Sequence, residues 1–336
     1  MATVHLLVPA DESAYVEPDL DPRVQVWPFQ RTRRTQPLAQ LRMSRELVRR
    51  VRQLAPDVLH VQQGHYVFNF ALGRLARTPL VLTVHEVMDR RGPRRTRHRV
   101  PQWPYTRGLR RARRVLVYGE PIRSQVVREG VDPGRVHVVP RAAPPLATAT
   151  REPNEPTVLF FGRIWPYKGL QYLIEAEPAI TRRVPDARIV IAGCGEDFAR
   201  YRRLMSDPGR FEVRDYFVPR RERDELFRRA SVVVLPYVNA TTSAVIPIAY
   251  AHRKPVVVTD VGGLPDAVED GRTGLVVPPR DPVALAGALV RLLRDDALRR
   301  EYGEAARRKL AVEGAPELVG RRALDVYRLA AAAPSP

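Results

Sequence analysis

The chain has 336 residues, of which 44% are hydrophobic, and its 56 Lys and Arg against 37 Asp and Glu give a formal net charge of +19. A chain of this length and composition forms about two folded domains, which excludes intrinsic disorder as its main state. The single cysteine, Cys194, excludes an internal disulfide framework and a multi-cysteine metal site, and the absence of a signal-peptide pattern or an apolar run of roughly 18–20 residues predicts a cytoplasmic protein.

The first half of the chain alternates short apolar runs with amphipathic stretches. The runs predict strands at Val4–Val8, Val58–Val61, Leu80–Val84, Val115–Val117 and Val136–Val139. The amphipathic stretches predict helices at Leu38–Leu54, Val67–Ala76, Arg107–Arg113 and Pro121–Glu129. Strands that alternate with helices indicate a parallel sheet covered on both faces.

The segment Pro144–Pro156 (PPLATATREPNEP) has no periodicity and predicts a linker, after which the alternation resumes. Strands are predicted at Thr157–Phe161, Arg188–Ala192, Val232–Leu235, Val256–Thr259 and Gly274–Val277. Helices are predicted at Gly169–Arg182, Glu222–Ala230, Ala244–Ala251, Pro282–Leu293, Ala297–Lys309 and Glu317–Ala332. We therefore expect an α/β protein of two doubly wound, Rossmann-like domains facing a cleft: residues 1–145, a linker at 146–156, and residues 157–315. The helix at 317–333 is expected to pack back on the first domain.

The most informative segment is Phe160–Gly169 (FFGRIWPYKG), where a strand ends and a helix begins. Gly162 permits a tight turn, and Arg163 and Lys168 flank the loop. Two cations beside a helix N-terminus form an anion site, because free N–H groups and the helix dipole act in the same direction. The alternative is a solvated loop that carries two surface cations.

A second segment, Val232–Gly263, joins a β-branched strand to a small polar loop and a short helix. Pro247 is tolerated only in the first helical turn, so the helix is expected to start near Ser243, which is a good N-cap. The N–H groups of Ala244 and Val245 would then be unpaired and, with the Ser243 hydroxyl, would form a second phosphate cradle. The alternative is a capped helix with no ligand.

The third segment is Val81–Val87 (VLTVHEV), in which a strand delivers His85 and Glu86 to its carboxyl edge. A lone histidine is more often structural than functional, but its place at a strand end favours a functional role. Glu86 either orients the imidazole or faces solvent.

Together these segments resemble a group 1 (family 4) glycosyltransferase of the GT-B fold. The residues that carry the resemblance are Gly162-Arg163, Lys168-Gly169, Ala192–Gly195, Val232–Pro236, Pro255–Pro265, Asp270-Gly271 and Thr273–Val276. They cover nearly all of residues 157–280 in a specific order and spacing. The first half resembles the family more weakly, through Pro56–His60, Leu80–His85 and Val131–Pro140.

The resemblance implies a retaining hexosyltransferase whose co-substrate is a nucleotide-diphosphate sugar of UDP or GDP type, with no further cofactor. Arg163 and Lys168 would hold the diphosphate and stabilise the leaving group, and His85 would contact the donor sugar. The donor-binding residues would be Gly162, Gly193, Gly195, Glu196, Phe217, Val218, Thr242, Ser243, Ala244 and Val245. No metal is expected, since two cations are available for its electrostatic role.

The sequence departs from the family pattern in two places. The two glutamates that the family often has, eight positions apart, are replaced by Ala240 and Ile248, neither of which accepts a hydrogen bond through its side chain. The glycine-rich loop common near the N-terminus is replaced by Pro9–Ser13 (PADES). Two alternatives therefore stay open: a non-catalytic nucleotide-binding or scaffold protein of this fold, and a GT-B epimerase. A phosphorylase is disfavoured because no lysine stands where its Schiff-base cofactor would be expected.

The positive charge is unevenly distributed. Residues 1–150 hold 26 arginines and 12 acidic residues, a net charge of +14, whereas only three of all 56 basic residues are lysines. Arg90–Arg114 contains 11 arginines and no acidic residue, with Trp103 and Tyr105 interleaved. This segment is interpreted as a solvated basic surface, as a surface for an anionic membrane leaflet that would bring the protein to a lipid-linked acceptor, or, least favoured, as a nucleic-acid site.

Overall fold

A computed structural model describes residues 3–10, 21–30, 32, 36–62, 75, 78–85, 108–146 and 155–332. The chain divides into two compact units. The first unit comprises Met1–Leu116, Val126–His137 and Asp325–Pro336, and the second comprises Val117–Gln125 and Val138–Leu324. Most of the predicted linker at 146–156 and of the predicted helix at Val67–Ala76 lies outside the described residues.

The first unit carries two groups of strands. Strands β1 (Val4–Pro9) and β2 (Val24–Phe29) pair in parallel as a two-stranded sheet. The second sheet has the order β3 (Leu59–Gln62), β4 (Leu80–Val84), β5 (Arg114–Val117), β6 (Val136–Val138). β5 ends at the first residue of the second unit, and α2 (Glu120–Arg128) lies across the division. All five residues of β4 are buried, which agrees with the continuous apolar run LVLTV.

Helix α1 (Pro37–Leu54) covers part of the first unit. Its proline occupies the start of the helix, where a missing N–H costs nothing. Val48 and Val51 on its inner face form a buried cluster with Leu75, against which Leu7 of β1 and Leu59 of β3 pack. The arginines of the helix face outward, as expected for an amphipathic surface helix.

The second unit is built from alternating strands and helices. Its strands are β7 (Thr157–Phe161), β8 (Arg188–Ala192), β9 (Phe211–Arg214), β10 (Val232–Leu235), β11 (Val256–Thr259) and β12 (Gly274–Val277). Its helices are α3 (Leu170–Thr181), α4 (Ala199–Arg202), α5 (Arg220–Arg229), α6 (Val245–Ala251), α7 (Leu264–Ala267), α8 (Pro282–Arg294) and α9 (Asp296–Glu313). The last helix, α10 (Pro316–Ala332), begins in this unit and ends in the first.

The strand order of the second unit is β12-β11-β10-β7-β8-β9, and every neighbouring pair is parallel. From β7 the chain adds β8 and β9 on one side of the sheet. It then returns to form β10 on the other side of β7 and adds β11 and β12 beyond it. Sheets of this kind bind ligands outside the carboxyl ends of the two central strands, where the order reverses. We call this place, between β7 and β10, the switch point.

The core of the second unit lies on both faces of the sheet, as predicted for a doubly wound domain. Along β7, Val158 and Phe160 pack into one buried cluster, whereas Leu159 packs into the cluster on the opposite face. Along β10, Val234 and Val233 divide in the same way. Since both faces are buried, the central strands β7 and β10 are almost entirely apolar, and this made them recognisable in the sequence.

Candidate functional site

Two loops meet at the switch point. The loop after β7 contains a short 3₁₀ turn at Pro166–Lys168 that ends at Gly169, whose φ is +66°. A Cβ on Gly169 would lie 1.8 Å from the carbonyl oxygen of Pro236, which follows β10, so only glycine allows this approach. The Val238 N–H also donates to the Tyr167 carbonyl over 2.8 Å. The backbone thereby fixes Lys168 beside the end of β10.

Lys168 makes a direct contact across the switch point. Its ammonium donates to the Tyr237 hydroxyl over 2.5 Å and lies 3.8 Å from the centroid of the Tyr237 ring. The Tyr237 hydroxyl is in turn 3.3 Å from Ser243 Oγ. Burial raises the pKa of Tyr237, so the hydroxyl stays protonated and uncharged. Lys168 is therefore positioned by this contact without having its charge neutralised by the phenol.

The start of α6 differs from the prediction. The helix begins at Val245 and is preceded by Ala244, whose dihedral angles are already helical. Ser243 Oγ accepts from the Val245 N–H over 3.2 Å, which is the bond that an N-cap side chain makes to the second residue after it. Ser243 therefore caps the first turn as predicted, whereas the expectation that the Val245 N–H is unpaired was wrong. Pro247 is in the first helical turn, as predicted.

The loops that follow β7 and β8 are bonded to each other beyond the ends of their strands. Gly162 N–H donates to the Ala192 carbonyl over 2.9 Å, and Glu196 N–H donates to the Ile164 carbonyl over 2.9 Å. A Cβ on Gly193, whose φ is +146°, would lie 1.9 Å from the Gly162 oxygen, and one on Gly195 would lie 2.0 Å from the Ile164 oxygen. Gly162, Gly193 and Gly195 are thus close together at this edge. Arg163 is exposed on the same loop.

The Glu196 carboxylate is held by its neighbours. One of its oxygens, Oε1, accepts from the Tyr201 hydroxyl over 2.5 Å and lies 3.3 Å from an Arg200 nitrogen. Burial, followed by the bond to Glu196, raises the pKa of Tyr201, so this phenol remains a donor. Glu196 therefore presents a fixed acceptor near the carboxyl end of β8.

Phe217 and Val218 have different environments although they are adjacent. The Phe217 side chain is 70% exposed, whereas Val218 is buried in the hydrophobic cluster that contains Leu226 and Phe227. Phe217 is available to stack on a flat ligand, as aromatic side chains commonly do. The buried Val218 side chain holds the Phe217–Val218 segment against this cluster.

The loop that carries Thr242 contacts two glycines that follow β11, Gly262 and Gly263. Gly262 has a φ of +56°, and a Cβ there would lie 1.6 Å from the Ala240 carbonyl oxygen. The Gly263 N–H donates to the Thr241 carbonyl over 3.0 Å. The Ala240 and Ile248 side chains pack against the core of the unit. Both are therefore apolar packing positions.

His85 belongs to the first unit and follows β4, as predicted. It is half-buried, and its Nε2 lies 2.9 Å from the Gln62 Oε1. Glu86 lies outside the described residues.

Sequence reasoning missed several polar side chains that contact those it predicted, among them Tyr237, Tyr201 and Gln62. The available signals were weak: Tyr237 is the second residue after a buried strand, and Gln62 alternates with His60 along β3.

No helix in the described part of the chain is both long and apolar enough to cross a membrane. In the same part, no three His, Cys, Asp or Glu side chains are grouped so that they would hold a metal ion. Most of the arginine-rich segment, residues 90–107, lies outside the described residues.

Comparison with known proteins assigns the family. The family "Glycosyl transferases group 1" matches residues 155–295, and the family "Glycosyl transferase 4-like domain" matches residues 2–142. A D-inositol 3-phosphate glycosyltransferase of Saccharomonospora viridis is 32% identical over 316 residues, which cover 82% of this chain and 71% of that protein. The chain belongs to the group 1 glycosyltransferases. This confirms the family predicted from the sequence.

Two further comparisons concern length and fold. The D-inositol 3-phosphate glycosyltransferase of Corynebacterium glutamicum is 35% identical over 201 residues, 56% of this chain, and the match spans about half of that protein, 47%. The structure of Anabaena HepE in complex with UDP is similar with a TM-score of 0.72 at 17% identity, covering 91% of this chain and 86% of that chain. The group 1 member described here thus has the GT-B fold, as predicted.

Proposed function

We propose that this group 1 glycosyltransferase is a retaining, metal-independent hexosyltransferase that moves a sugar from a nucleotide-diphosphate sugar, of UDP or GDP type, to an acceptor. The observation that carries the proposal is the arrangement of Lys168, Tyr237 and Ser243 at the switch point, with Arg163 on the same loop as Lys168. Ligands bind at such a place in doubly wound sheets, and this one offers positive charge to a phosphate.

The chemistry needs that positive charge. When the bond between the sugar C1 and the diphosphate oxygen breaks, the electron pair stays on the diphosphate, which leaves with additional negative charge. Fixed cations that face this charge stabilise the transition state more than the ground state. The acceptor oxygen forms the new bond to C1 and loses its proton to solvent. Arg163 and Lys168 supply the charge that a metal ion supplies in other transferases, and His85 contacts the donor sugar.

The nucleotide is expected beside the loops after β8 and β9. The fixed Glu196 carboxylate offers an acceptor to a ribose hydroxyl or a base N–H, and the exposed Phe217 ring offers a face to the base. The binding of UDP by HepE, which has the same fold, supports a uridine nucleotide as the first candidate. The Thr242–Val245 segment would complete the phosphate side.

A second candidate is a non-catalytic nucleotide-binding protein. Ala240 and Ile248 favour it, because these two positions contribute packing and no side-chain hydrogen bond. A protein of this kind would bind the nucleotide but would not release the sugar.

Two measurements test the proposal. The first is a thermal shift with UDP, GDP and ADP, because a ligand that binds only the folded state raises the melting temperature. The second is release of sugar from UDP-glucose and GDP-mannose, with proton NMR used to follow the anomer formed and with EDTA added in a parallel reaction. Stabilisation by a nucleotide with release of the α-anomer, unaffected by EDTA, is expected. Stabilisation without any release would favour the second candidate, and no stabilisation by any nucleotide would contradict both.

The acceptor-side partner is proposed from charge. We propose that the Arg90–Arg114 segment attracts an anionic membrane surface and so brings the enzyme to a lipid-linked acceptor, because each basic residue near such a surface contributes about 1 kcal/mol. Two arginines at the end of this segment have internal partners: Arg113 donates to the Ala330 carbonyl over 2.9 Å, and Arg114 donates to the Arg113 carbonyl over 2.9 Å. The attraction would therefore rest mainly on Arg90–Arg111.

A further inference from the structure

Polar side chains from three elements of the first unit meet at the carboxyl edge of its sheet. His60 and Gln62 alternate along β3, so they project from the same face of the strand. Thr83 of β4 is paired in register with Gln62, and His85 follows β4. Tyr327 of α10 completes the group from the other end of the chain. The contacts of His60 and His85 in this group determine which ring nitrogen of each histidine carries the proton.

His60 lies at the centre of the group. Its Nδ1 is 2.7 Å from the Tyr327 hydroxyl, and its Nε2 is 2.6 Å from the Thr83 hydroxyl and 3.4 Å from the Gln62 amide nitrogen. Burial, with a smaller effect from His85, lowers the pKa of His60 to about 4. The ring is therefore neutral at ordinary pH and has one nitrogen that donates and one that accepts.

The contacts of Gln62 decide which nitrogen accepts. The Gln62 carbonyl oxygen faces His85 Nε2, so its amide NH₂ faces His60 Nε2. The amide N–H and the Thr83 O–H then both point toward His60 Nε2, which must carry no proton. The proton of His60 is on Nδ1 and is donated to the oxygen of the Tyr327 hydroxyl.

The same logic fixes the proton of His85. The Gln62 carbonyl oxygen can only accept, so His85 Nε2 must donate and must carry the proton. In the neutral His85 ring the basic nitrogen is then Nδ1. The assignment passes from Tyr327 through His60 and Gln62 to His85.

We propose that Gln62 is a positioning residue that selects the Nε2–H tautomer and the ring orientation of His85, and that His60 and Tyr327 hold Gln62 in the orientation that does this. The proposal rests on the proposed function, because His85 matters for turnover only if it contacts the donor sugar. It adds α10 to the elements that position His85 within the first unit, since the last turns of this helix supply Tyr327. A histidine in catalysis commonly has its tautomer set by the partner of its other nitrogen.

The first test is direct observation of the tautomer. Long-range ¹H–¹⁵N NMR spectra of the full chain, labelled at histidine, separate the Nε2–H from the Nδ1–H form by the nitrogen shifts. We expect a single Nε2–H form for His85 in the wild type and a mixture of both forms in Gln62→Leu. Gln53→Leu, which changes an exposed glutamine of α1 in the same unit, is the matched control and should leave the His85 signals unchanged.

The second test separates positioning from a structural effect. Gln62→Glu keeps the oxygen that accepts from His85 and should restore the Nε2–H form, whereas Gln62→Leu cannot. Tyr327→Phe removes the acceptor of the His60 proton and should partly release Gln62. Tyr250→Phe removes a buried hydroxyl of the second unit, which is 2.8 Å from the Thr273 hydroxyl, and serves as the control for a lost hydroxyl.

The loss of His85 positioning is expected to change kcat. Gln62→Leu should lower kcat by roughly tenfold, because a misplaced catalytic group costs rate, while nucleotide affinity in a thermal shift stays unchanged. Gln62→Glu should recover most of the loss. A Gln62→Leu protein that keeps the wild-type His85 tautomer and the wild-type kcat would overturn the proposal. A fixed His85 tautomer in a wild type that turns over no nucleotide sugar would instead contradict the proposed function and leave the hydrogen-bond assignment intact.

Discussion

Lys168 illustrates how a charged side chain is positioned without being neutralised. Its ammonium lies against the ring and the hydroxyl of Tyr237, and that hydroxyl stays protonated because burial raises its pKa. A carboxylate in the same place would cancel most of the field that a diphosphate is meant to meet, whereas a phenol orients the cation and leaves its charge in place.

Replacement of either cation tests this arrangement. Arg163→Ala and Lys168→Ala should each weaken the binding of UDP or GDP by more than tenfold, because a hydrogen bond to a charged group contributes about 1.5–3 kcal/mol and tenfold corresponds to about 1.4 kcal/mol. Isothermal titration calorimetry with the nucleotide diphosphate measures the change.

Arg183→Ala is the matched control for both variants, since Arg183 is an exposed arginine of the second unit away from the switch point. Its affinity should equal that of the wild type. Wild-type affinity in both Arg163→Ala and Lys168→Ala would contradict the assignment of the diphosphate site.

The sequence predicted these two cations because they lie within one loop of one motif. It did not predict Tyr237 or Gln62, because each acts on a partner that is distant in the chain: Tyr237 on Lys168, and Gln62 on His85. The periodicity of a strand shows which face a residue occupies but not which side chain it meets there. Pairwise contacts of this kind come only from the fold.

At the scale of elements, the predictable strands were those that read as continuous apolar runs. β10 is an unbroken apolar run, and the run itself marks it as a strand. β2 and β9 were missed because they mix polar with apolar residues: β2 contains Gln25 and Pro28, and β9 reads FEVR. The start of α6 was misplaced by only two residues.

The close approach of the loops after β7 and β8 makes a stability prediction. Gly193→Ala should lower the free energy of unfolding by roughly 1–3 kcal/mol, because the new Cβ meets the Gly162 carbonyl and the backbone is in a region that only glycine adopts easily. Chemical denaturation followed by circular dichroism measures the loss, and nucleotide affinity should fall with it.

Gly287→Ala is the control for this prediction. Gly287 is inside α8, and a Cβ there meets nothing within 4 Å. The change should leave nucleotide affinity unaltered and raise the free energy of unfolding by about 0.5–1 kcal/mol, since alanine favours a helix over glycine. If Gly193→Ala were as stable as Gly287→Ala, the two loops would not be in contact as described.

At the scale of the whole molecule, buried histidines make stability depend on pH. The pKa of His60 is lowered from 6.5 to about 4, and burial lowers that of His252 as well. Below pH 6.5 the unfolded chain binds protons that the folded chain does not, so the free energy of unfolding should fall as the pH decreases from 6.5 to 4. The contribution of His60 is about 3 kcal/mol at most.

Denaturation midpoints measured between pH 7.5 and 4.5 check this dependence. His60→Gln should show a shallower loss over the same range, because it lacks one of the two groups. Glu269 does not affect the stability in this window. The hydrogen bond from Lys309 lowers the pKa of Glu269, so the stability that this carboxylate contributes is lost only below its ordinary pKa of 4.5. A wild type with constant stability from pH 6.5 to 4.5 would contradict the burial of both histidines.

The uneven charge of the chain makes a prediction about lipid. Sedimentation with vesicles that contain phosphatidylglycerol should exceed sedimentation with phosphatidylcholine alone, and it should fall as salt rises from 50 to about 300 mM because the attraction is screened. Replacing Arg94, Arg95, Arg97 and Arg99 by glutamine should reduce the binding, while Arg220 and Arg221, exposed in the second unit, provide a double-glutamine control. Binding that ignores both lipid charge and salt would contradict the proposal.

The hydrogen bonds between the loops after β7 and β8 have a consequence for the redesign of this protein. The backbones of the two loops contact each other directly, at Gly162 and Ile164 in one loop and at Gly193 and Gly195 in the other. Replacing only one loop by a homologous loop would therefore disrupt these contacts. The two loops form a single unit in which Cys194 and Glu196 are the positions where side chains can vary, while Arg163, proposed to bind the diphosphate, is kept. A library that aims to change the donor should therefore graft both loops together and vary only those two positions.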